Sequence, residues 1–522
     1  MKSGDLEILK SGDLNKIKII LDDFNKKYEN LFEFTEFNVD DKWKKIWISL
    51  FTLLREPKNS AIYLEVLTSI RILTRDKNNL NSITLQKDLE ILLNIADLGP
   101  NNVTNMRKSY SDETIIASLK CICNLVFQNT ECQKLCLKNS ATDGILRRVR
   151  SPTAHHHEIE FFDMKLLFLI TALEQQTRQK VKDDLNGLTY LTEWLDVKVK
   201  ETKSDKQSEL INEILKVLFN ITANNNSTDE NVTLHNRLII VLRNILFSYA
   251  DMDSEKNILV VSNTVNLLTN MPTSSLSELL IREEKCNQNE KAYEGQCVKS
   301  LEVLIEHLKI CLKSADKEKL APMLSVLVKC VRCNSTMRHY IRSVILPPLT
   351  HVNERPEVGN DLRNHLCRFL TSVDTIIRDL SAELLFVCCK ENVARMVKHT
   401  GYGNAAGLLA SKGVLDGRKK ENTEYSSDSE DSDTEEYKRV AHNINPILGC
   451  YESPRKNPME GMTEEQKEYE AMKLANLMDQ LYRQGIVQPC RINEDGKPEP
   501  LEHILQLQEE LPKQQNQNKN KS

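Results

Sequence analysis

The sequence has no long apolar run and no signal-like N-terminus. No stretch of about 18 consecutive apolar residues occurs, although a helix that spans a membrane needs roughly that length. The first seven residues are mainly charged or small, and they lack the apolar core of a secretory signal. We therefore expect a cytosolic protein that carries no membrane anchor of its own.

Motifs of nucleotide-binding and hydrolytic enzymes are also absent. There is no Gly-x-x-x-x-Gly-Lys-Ser/Thr loop and no Gly-x-Ser-x-Gly turn. The segment Gly401–Gly407 departs from a dinucleotide loop by one residue and follows a helical pattern, so a helix terminator before a short helix over 404–410 explains it better. His155–His157 lies in an apparent loop without matching cysteines or acids, so we predict no metal site there. These absences predict a binding protein with no catalytic residue and no cofactor.

A strong charge bias is lacking as well. With 70 basic and 75 acidic residues the net charge is −5, so nothing global indicates nucleic acid as a partner. The composition, 40% hydrophobic and 28% charged, suits a soluble protein with a substantial core. Because disulfides seldom persist in the cytosol, the 14 cysteines are interpreted as reduced packing residues.

The body of the chain is repetitive. Three segments align without gaps: 118–126, 163–171 and 214–222. Each has a lysine after an apolar residue and a mostly apolar run beyond it, and the lysines are Lys120, Lys165 and Lys216. Their spacings, 45 and 51 residues, lie near the period of about 40–47 that is typical of armadillo and HEAT repeats.

Further helical segments extend this pattern through most of the chain. They cover 238–247, 259–268, 323–331 and 380–389. Between the repeats, Asp143-Gly144 and Asn186-Gly187 are predicted to begin second helices, with Asp143 and Asn186 as caps. Period-two alternation is scarce, so almost no sheet is expected. The prediction is an all-α, armadillo/HEAT-type, right-handed superhelical solenoid over residues 1–405.

The inner helices of such a solenoid line a groove. The spacing Lys-x-x-x-Asn, at Lys120/Asn124 and Lys216/Asn220, places both side chains on one helical face. The asparagines either bond to the backbone of a bound peptide or hold neighbouring repeats together, and the sequence leaves both uses open. Arg71 and Arg75 form another pair on one face, for which spacing alone favours a solvated surface over a partner contact.

An acidic linker and an isolated helix follow the repeats. Residues 421–436 contain eight carboxylates and no lysine or arginine, so this segment should stay solvated until a partner neutralises it. Beyond it, Thr463 with Gln466 forms a capping box, and Gly485 suits the helix end. The apolar side chains between them, spaced i, i+3, i+4 and i+7, form one stripe: Leu474, Leu477, Met478 and Leu481. Tyr469 and Met472 extend this stripe toward the helix start.

Several of these segments closely resemble the synembryn family. The resemblance rests on residues 401–410, the acidic Ser/Thr cluster, Asn445-Pro446 and the long block 457–474. Shorter similarities run through most of the chain, at 69–77, 119–127, 215–222 and 344–349. The resemblance implies a receptor-independent guanine-nucleotide exchange factor that also chaperones G-protein α subunits.

The resemblance also implies a solenoid groove that takes the C-terminal helix of the α subunit. On this basis the groove residues are Arg71, Arg75, Asn124, Phe168, Phe219 and Asn220. The isolated helix either makes a second contact with the nucleotide-binding domain of the α subunit or docks on the solenoid itself. A generic armadillo-type peptide-binding scaffold or adaptor is the alternative function, but an adaptor does not need the capped terminal helix.

The linker carries two Ser-x-x-Glu sites, at Ser427 and Ser432, that suit an acidophilic casein-type kinase. The family is phosphorylated at the matching places, and we expect Arg338 and Arg342 to accept the phosphates on an exposed helix face. Alternatively, the sites are modified without structural effect. The predicted regions are the solenoid 1–405, a short helix and acidic linker 406–456, the helix 457–485 and a disordered tail 486–522. A monomer is expected, which the partner recruits to the cell cortex or plasma membrane.

Overall fold

The computed structural model describes residues 3–32, 34–37, 41–80, 85–99, 110–151, 155–223, 232–252, 254–282, 284, 291–314, 316–350, 352–415, 434–452, 459–488, 490–492 and 498–500. The chain divides into two compact units, Met1–Leu279 and Leu280–Ser522. Within the described ranges, no helix has the length and apolar character required to cross a membrane.

The first unit is helical throughout its described part. Its helices are α1 (Ser3–Leu9), α2 (Leu14–Tyr28), α3 (Lys42–Arg55), α4 (Tyr63–Leu73), α5 (Lys77–Leu80), α6 (Gln86–Ile95), α7 (Asp112–Gln128), α8 (Thr130–Lys138), α9 (Ala141–Arg150), α10 (His157–Leu173), α11 (Gln175–Gln179), α12 (Gly187–Lys200), α13 (Asp205–Thr222), α14 (Val232–Ser248) and α15 (Glu255–Thr269). Short 3-10 segments occur at Thr35–Phe37, Pro57–Ile62 and Thr273–Leu279, and Lys180–Asp184 forms one π turn.

These helices pack in two rows. In the first row, α2, α4, α7, α10, α13 and α15 each contact the next. In the second row, α3 contacts α6, α6 contacts α8, and α9, α12 and α14 continue the series. Each repeat thus buries its apolar faces against the neighbouring repeats, as in armadillo and HEAT arrays. The predicted all-α, armadillo/HEAT-type class is confirmed.

The three aligned sequence segments lie on α7, α10 and α13 of the first row. Six aligned positions are buried in every copy, and four of them carry an apolar residue in all three. In α7 they are Leu119, Cys121, Ile122 and Leu125, all with no exposed surface. Because successive positions of this set are one to three residues apart, they form one apolar face on each helix, which explains why the repeat was visible in the sequence.

Of the predicted caps of the second-row helices, Asn186 is at the N-cap position of α12, whereas Asp143 lies inside α9. The N-cap of α9 is Ser140 and that of α12 is Asn186; both are left-handed and neither side chain makes a capping bond. The glycines serve close packing instead. A Cβ on Gly144 would lie 2.8 Å from the Leu98 backbone, and one on Gly187 would lie 2.5 Å from the Val181 carbonyl oxygen. The Asx-Gly pattern therefore marks tight contacts between turns.

Aromatic side chains close the N-terminal end of the core. Phe24, Tyr28, Phe34 and Phe37 are buried within one cluster in which ring centroids lie 4.7–6.2 Å apart. An array of repeats needs such a terminal layer because its first repeat has no preceding neighbour to cover its apolar face.

The second unit combines helices with very short strands. Its helices are α16 (Lys299–Ser314), α17 (Lys317–Cys333), α18 (Ser335–Ile345), α19 (Leu362–Phe369), α20 (Thr375–Cys388), α21 (Val393–Thr400), α22 (Tyr402–Lys412), α23 (Glu435–Val440) and α24 (Glu464–Arg483). Its strands are β1 (Ile281–Arg282), β2 (Ala292–Tyr293), β3 (Gln296–Cys297), β4 (Ile444–Asn445), β5 (Cys450–Tyr451), β6 (Cys490–Ile492) and β7 (Pro498–Pro500).

The strands form three antiparallel sheets, ordered β1-β3-β2, β4-β5 and β6-β7. No strand in the described part exceeds three residues, so the expectation of almost no sheet is confirmed. The predicted short helix is α22, two residues longer at each end. Strands β6 and β7 lie within the tail predicted to be disordered, so that prediction is wrong for these residues; 501–522 lie outside the described part.

The core of the second unit is built around α17 and α20. Helix α17 contacts α16, α18 and α20, and α20 in turn contacts α19, α21 and α22. Of the described cysteines in the whole chain, all but Cys333 and Cys490 are buried and none forms a disulfide. Burial raises the pKa of thiols such as Cys121 and Cys389 to about 12, which leaves them unreactive. The packing interpretation of the cysteines is confirmed.

One cysteine pair has the spacing of a zinc motif. Cys330 and Cys333 are two residues apart near the end of α17, but Cys330 is completely buried in the apolar core. Among the residues that the structure describes, no group of three or more His, Cys, Asp or Glu side chains could hold a metal ion. A pair of thiols without further ligands does not complete a tetrahedral zinc site.

Candidate partner-binding site

The asparagines of the first row hold successive helices together. Asn220 on α13 donates from Nδ2 to the carbonyl oxygen of Phe168 at 3.2 Å and to the hydroxyl oxygen of Thr171 at 3.1 Å, both on α10. The same pair of bonds joins Asn124 to Arg71 and Thr74, and Asn270 to Phe219 and Thr222. These bonds satisfy carbonyls near the C-terminal ends of the preceding helices. The structural use of the asparagines is therefore present, and the second use, peptide binding, remains a prediction.

The repeated lysines lie over aromatic rings. Lys120 Nζ is 5.0 Å from the ring centroid of Phe162, and Lys216 Nζ is 4.7 Å from that of Phe168. Lys165 lies 5.9 Å from the Phe162 ring. Each lysine of α7 or α13 thus reaches a phenylalanine of α10, the helix between them. The attraction between a cation and an aromatic face is modest, about 0.5–1 kcal/mol at exposed sites.

The three lysines differ in their acidic partners. Lys120 pairs with Glu158 at 3.1 Å and Lys216 with Glu213 at 2.5 Å. Lys165 has no acidic partner among the described residues. Its ammonium group is therefore the least neutralised charge of this series, and a partner carboxylate could approach it without displacing an existing ion pair.

Arg71 lies on α4, whereas Arg75 lies two residues beyond the end of that helix, so the predicted pairing on one helical face is wrong and their environments differ. Arg75 donates from Nη1 to the carbonyl oxygens of Glu29 at 2.5 Å and Leu31 at 3.1 Å, and its guanidinium lies 5.1 Å from the Phe32 ring. It therefore anchors the loop after α2. Arg71 forms no ion pair with any described side chain and remains half-buried on the row. Of the two, Arg71 is the one whose charge is open to a partner.

Apolar side chains complete this surface, which we call the row face and define by Arg71, Lys165, Phe168, Phe219, Asn124 and Asn220. Phe168 is half-buried and Phe219 is 36% exposed, on adjacent helices. A surface with aromatic anchors and uncompensated cations is suited to an amphipathic helix that carries carboxylates. The structure places the predicted groove residues along the first row of helices. Arg75 differs from the others because its side chain bonds to the loop after α2.

The C-terminal helix α24 is folded as predicted, and its apolar side chains are exposed. Thr463 Oγ1 accepts from Gln466 N, and the Gln466 side chain accepts from Thr463 N at 3.1 Å, so the capping box is confirmed. At its other end Gly485 has φ +69°, and Ile486 N donates to the Leu481 carbonyl at 3.0 Å. This is the left-handed C-terminal motif that favours glycine.

No residue of α24 is buried. Tyr469, Met472, Leu474 and Leu477 expose 54–70% of their surface, and Met478 and Leu481 are half-exposed. Docking of this helix on the solenoid and its contact with a partner both remain predictions. An exposed apolar stripe of this size is characteristic of a surface that binds a partner.

The predicted phosphate acceptors are not an exposed face. Arg338 and Arg342 on α18 each expose only 8% of their surface, and Arg338 Nη1 donates to the Val331 carbonyl oxygen at 3.3 Å. The prediction failed because α18 is enclosed by α17, α19 and α20, so both arginines lie among helices. Ser427 and Ser432 lie outside the described residues, and the phosphorylation scheme stays a prediction.

Sequence reasoning missed the segment Thr434–Glu452, which packs back onto the second unit. Tyr402 N and Gly403 N donate to the carbonyl oxygens of Pro446 and Ile447 at 2.8 and 2.9 Å. Backbone contacts of this kind leave little trace in side-chain patterns. The glycines of the 401–407 segment were the available signal, because a close approach of two backbones requires residues without a Cβ.

Comparison with known proteins gives a family. The sequence profile described as guanine nucleotide exchange factor synembryn matches residues 66–497. The chain belongs to the synembryn family. A protein named Chaperone Ric-8 from Drosophila melanogaster is 44% identical over 576 aligned positions, covering 100% of each chain. Chaperone Ric-8A from Xenopus tropicalis is 38% identical over 523 positions, covering 96% of each. The resemblance drawn from sequence motifs is confirmed.

Solved structures are more distant from this synembryn. An engineered protein superposes with a TM-score of 0.49 at 14% identity, covering 82% of this chain and 85% of the other. A designed armadillo repeat protein superposes with a TM-score of 0.36 at 13% identity, covering 54% and 96%. At this distance the superpositions add nothing to a fold that follows from the two rows of helices.

Proposed function

We propose that this protein binds the α subunit of a heterotrimeric G protein at two places and thereby accelerates the release of GDP. The observation that carries the proposal is the exposed apolar stripe of α24, none of whose residues is buried. The family to which the chain belongs is described as guanine nucleotide exchange factor synembryn. The row face provides the second contact. It takes the C-terminal helix of the α subunit, and α24 takes the nucleotide-binding domain.

The chemistry of the row face favours this partner segment. Phe168 and Phe219 offer apolar contact, while Arg71 and Lys165 offer cations with no described acidic partner. A helix with an apolar stripe flanked by carboxylates satisfies both features. Charge pairing then fixes orientation and accelerates encounter, and the buried aromatic contacts supply most of the binding free energy.

Exchange follows from linkage and needs no catalytic side chain. If this protein binds the nucleotide-free α subunit more tightly than the GDP-bound form, it must weaken GDP binding by the same factor. Withdrawing the C-terminal helix of the α subunit disturbs the loop that holds the guanine base. The open form is then selected by differential affinity, since a ligand that binds both forms equally shifts nothing.

The same preference explains chaperone activity. A nascent α subunit without nucleotide is marginally stable, and a protein that binds its folded open form but not its unfolded chain stabilises it by mass action. A free concentration 100-fold above the dissociation constant corresponds to about 2.7 kcal/mol of added stability. Exchange and chaperoning are then two consequences of one binding equilibrium.

Phosphorylation of the acidic linker is proposed to strengthen this activity. Ser427 and Ser432 suit an acidophilic casein-type kinase, and each phosphate adds a charge of about −1.5 to −2. Replacing both serines by alanine should lower the exchange rate. If the alanine variant and fully phosphorylated wild type exchange at the same rate, the proposed role of phosphorylation is refuted. The protein acts as a monomer and reaches the cell cortex through its lipid-modified partner.

The decisive experiment is GDP release from a purified α subunit with and without this protein. An exchange factor raises the release rate in proportion to its concentration until it saturates. A scaffold or adaptor leaves that rate unchanged, whether or not it binds the α subunit. Calorimetric titration against GDP-bound and nucleotide-free α subunit then measures the preference directly, and equal affinities would refute the proposal.

A further inference from the structure

The segment Thr434–Glu452, here called the strap, lies between the acidic linker and α24 and has no role in the function proposed above. It contains α23 and the hairpin β4-β5 and packs onto other parts of the second unit. Besides the two bonds from Tyr402 and Gly403, Tyr451 N donates to the Val352 carbonyl oxygen at 2.6 Å. The strap is therefore held mainly through its backbone.

Two of these bonds complete helix α22. Its N-cap residue is Gly401, which has no side chain that could accept from the first free N–H groups. The carbonyl oxygens of Pro446 and Ile447 accept from the N–H groups of Tyr402 and Gly403 instead. Because the first N–H groups of a helix have no partner within it, the strap supplies what a capping side chain normally would.

Glycines permit this approach. A Cβ on Gly449 would lie 2.8 Å from Pro356 Cγ and 2.9 Å from Gly401 Cα, closer than such atoms can pack. Both Gly401 and Gly449 also have positive φ, at +75° and +69°. Asn445 shapes the intervening turn, since Oδ1 accepts from Ile447 N at 2.9 Å. Nδ2 of the same residue donates to Glu452 Oε2 at 2.8 Å.

The strap also has an anchor at its beginning. The Thr434 hydroxyl donates to the Leu349 carbonyl oxygen, and Lys398 Nζ lies 4.7 Å from the ring centroid of Tyr437. Both ends of the strap are thus attached to the second unit. Glu452, its last residue, is only seven residues before Met459, where the described chain leading into α24 resumes.

We propose that the strap is a positioning element that fixes the point from which α24 reaches its partner, with Gly449 and Asn445 as its positioning residues. The inference rests on the proposed exchange function. With the strap attached, Met459 lies within about 25 Å of Glu452, the greatest span of seven residues. Without it, the nearest described anchor is Leu415, 44 residues before Met459.

This difference in tether length sets the expected effect. The effective concentration of a tethered group falls roughly as the −3/2 power of tether length once the tether exceeds the distance to be spanned. The change from seven to 44 residues therefore lowers the effective concentration of α24 at its partner on the order of tenfold. The first contact, at the row face, does not depend on this tether.

The test compares Gly449→Ala with Gly407→Ala in the full-length protein. Gly407 lies on α22, and a Cβ there would meet nothing within 4 Å, so its variant is the matched control. We expect Gly449→Ala to lower GDP release from the α subunit on the order of tenfold. Its affinity for a synthetic peptide of the α subunit's C-terminal helix should remain unchanged, and hydrogen exchange should rise across 434–452. Gly407→Ala should match wild type in all three measurements.

Two results would overturn the inference. The first is faster hydrogen exchange across the strap with an unchanged rate of GDP release. The second is a parallel loss of peptide affinity and GDP release, which would mean that the strap only supports the fold. If Gly449→Ala does not fold, Asn445→Ala replaces it, because that change removes the turn bonds without adding atoms. Absence of GDP release with wild-type protein refutes the proposed function itself, and this inference with it.

Discussion

Arg148 on α9 and Asp163 on α10 form a buried ion pair. One guanidinium nitrogen, Nη1, lies 2.8 and 2.9 Å from the two carboxylate oxygens of Asp163. The side chains are only 10% and 4% exposed. Burial raises the pKa of the Asp163 carboxyl to about 6, although Arg148 acts in the opposite direction. The pair joins a second-row helix to a first-row helix and leaves neither charge in water.

Replacing Arg148 by methionine should destabilise the fold strongly. The carboxylate of Asp163 would remain buried without its counter-ion, and breaking a buried pair typically costs about 3–5 kcal/mol. The double variant Arg148→Met, Asp163→Leu should recover part of this loss, because no uncompensated charge remains. Urea denaturation monitored by circular dichroism measures both free energies of unfolding.

The control for this experiment is Lys200→Met, which breaks the exposed pair between Lys200 and Asp196. Exposed pairs four residues apart on a helix contribute only about 0.3–0.5 kcal/mol. Similar losses for the buried and the exposed pair would contradict the argument from burial.

His307 should make stability depend on pH. It is 1% exposed on α16, and burial, with a smaller contribution from Lys319, lowers its pKa to about 4. The unfolded chain, with a histidine pKa near 6.5, binds more protons between pH 4 and 6.5 than the folded protein. The free energy of unfolding therefore rises with pH across this window. This group contributes about 3 kcal/mol to the rise, which is complete above pH 6.5.

The measurement is urea denaturation of wild type and His307→Leu at several pH values from 4 to 7.5. Because other carboxylates and histidines titrate in the same range, the informative quantity is the difference in slope between the two proteins. The variant should show the shallower dependence. Equal slopes would mean that His307 is protonated as readily in the folded protein as in the unfolded chain.

The apolar stripe of α24 should be important for exchange and unimportant for folding. Leu474→Ala with Leu477→Ala removes two side chains that are 60% and 54% exposed, so the free energy of unfolding should change by less than about 0.5 kcal/mol. GDP release should fall at least about tenfold, since two apolar anchors of a partner contact contribute more than about 1.4 kcal/mol together. Asn476→Ala, an exposed position on the opposite side of the same helix from Leu474, is the matched control. A comparable loss of stability would indicate that α24 packs on its own protein.

The sequence predicted the repeat architecture well because the signal lies in side chains. Four equivalent positions of α7, α10 and α13 are buried and carry apolar residues in every copy. The spacing of these apolar residues in the sequence therefore predicts the first row of helices. The capping box of Thr463 and Gln466 could be predicted for the same reason, since it needs two particular side chains at a fixed spacing.

Contacts through the backbone and contacts between distant helices were not predictable in this way. The strap is held by the carbonyls of Pro446, Ile447 and Val352, which any residue could supply. The enclosure of Arg338 depends partly on α19 and α20, which lie apart from it in sequence. Asn220 shows the intermediate case, because its spacing revealed a face but only its bonds to Phe168 and Thr171 revealed how the face is used.

Substitutions of Arg71 and Arg75 should separate binding from stability although the two residues are only four positions apart. Arg75 bonds to the carbonyls of Glu29 and Leu31, so Arg75→Ala should lower the free energy of unfolding by about 1–3 kcal/mol through loss of two charge-assisted bonds. Arg71 has no ion-pair partner among the described residues, so Arg71→Ala should leave stability nearly unchanged. Its effect should appear in binding to a peptide of the α subunit's C-terminal helix.

The expected loss of peptide affinity for Arg71→Ala is about tenfold, if the guanidinium meets a partner carboxylate at a partly desolvated site. Lysine in place of Arg71 should recover only part of this affinity, because an ammonium group cannot form the two parallel bonds of a guanidinium. Fluorescence polarisation of a labelled peptide measures these affinities, and its salt dependence should weaken in Arg71→Ala because one charge pair is gone. If Arg71→Ala lost stability while Arg75→Ala lost only affinity, the assignment of the two arginines would be reversed, and the row face would have to extend toward the loop after α2.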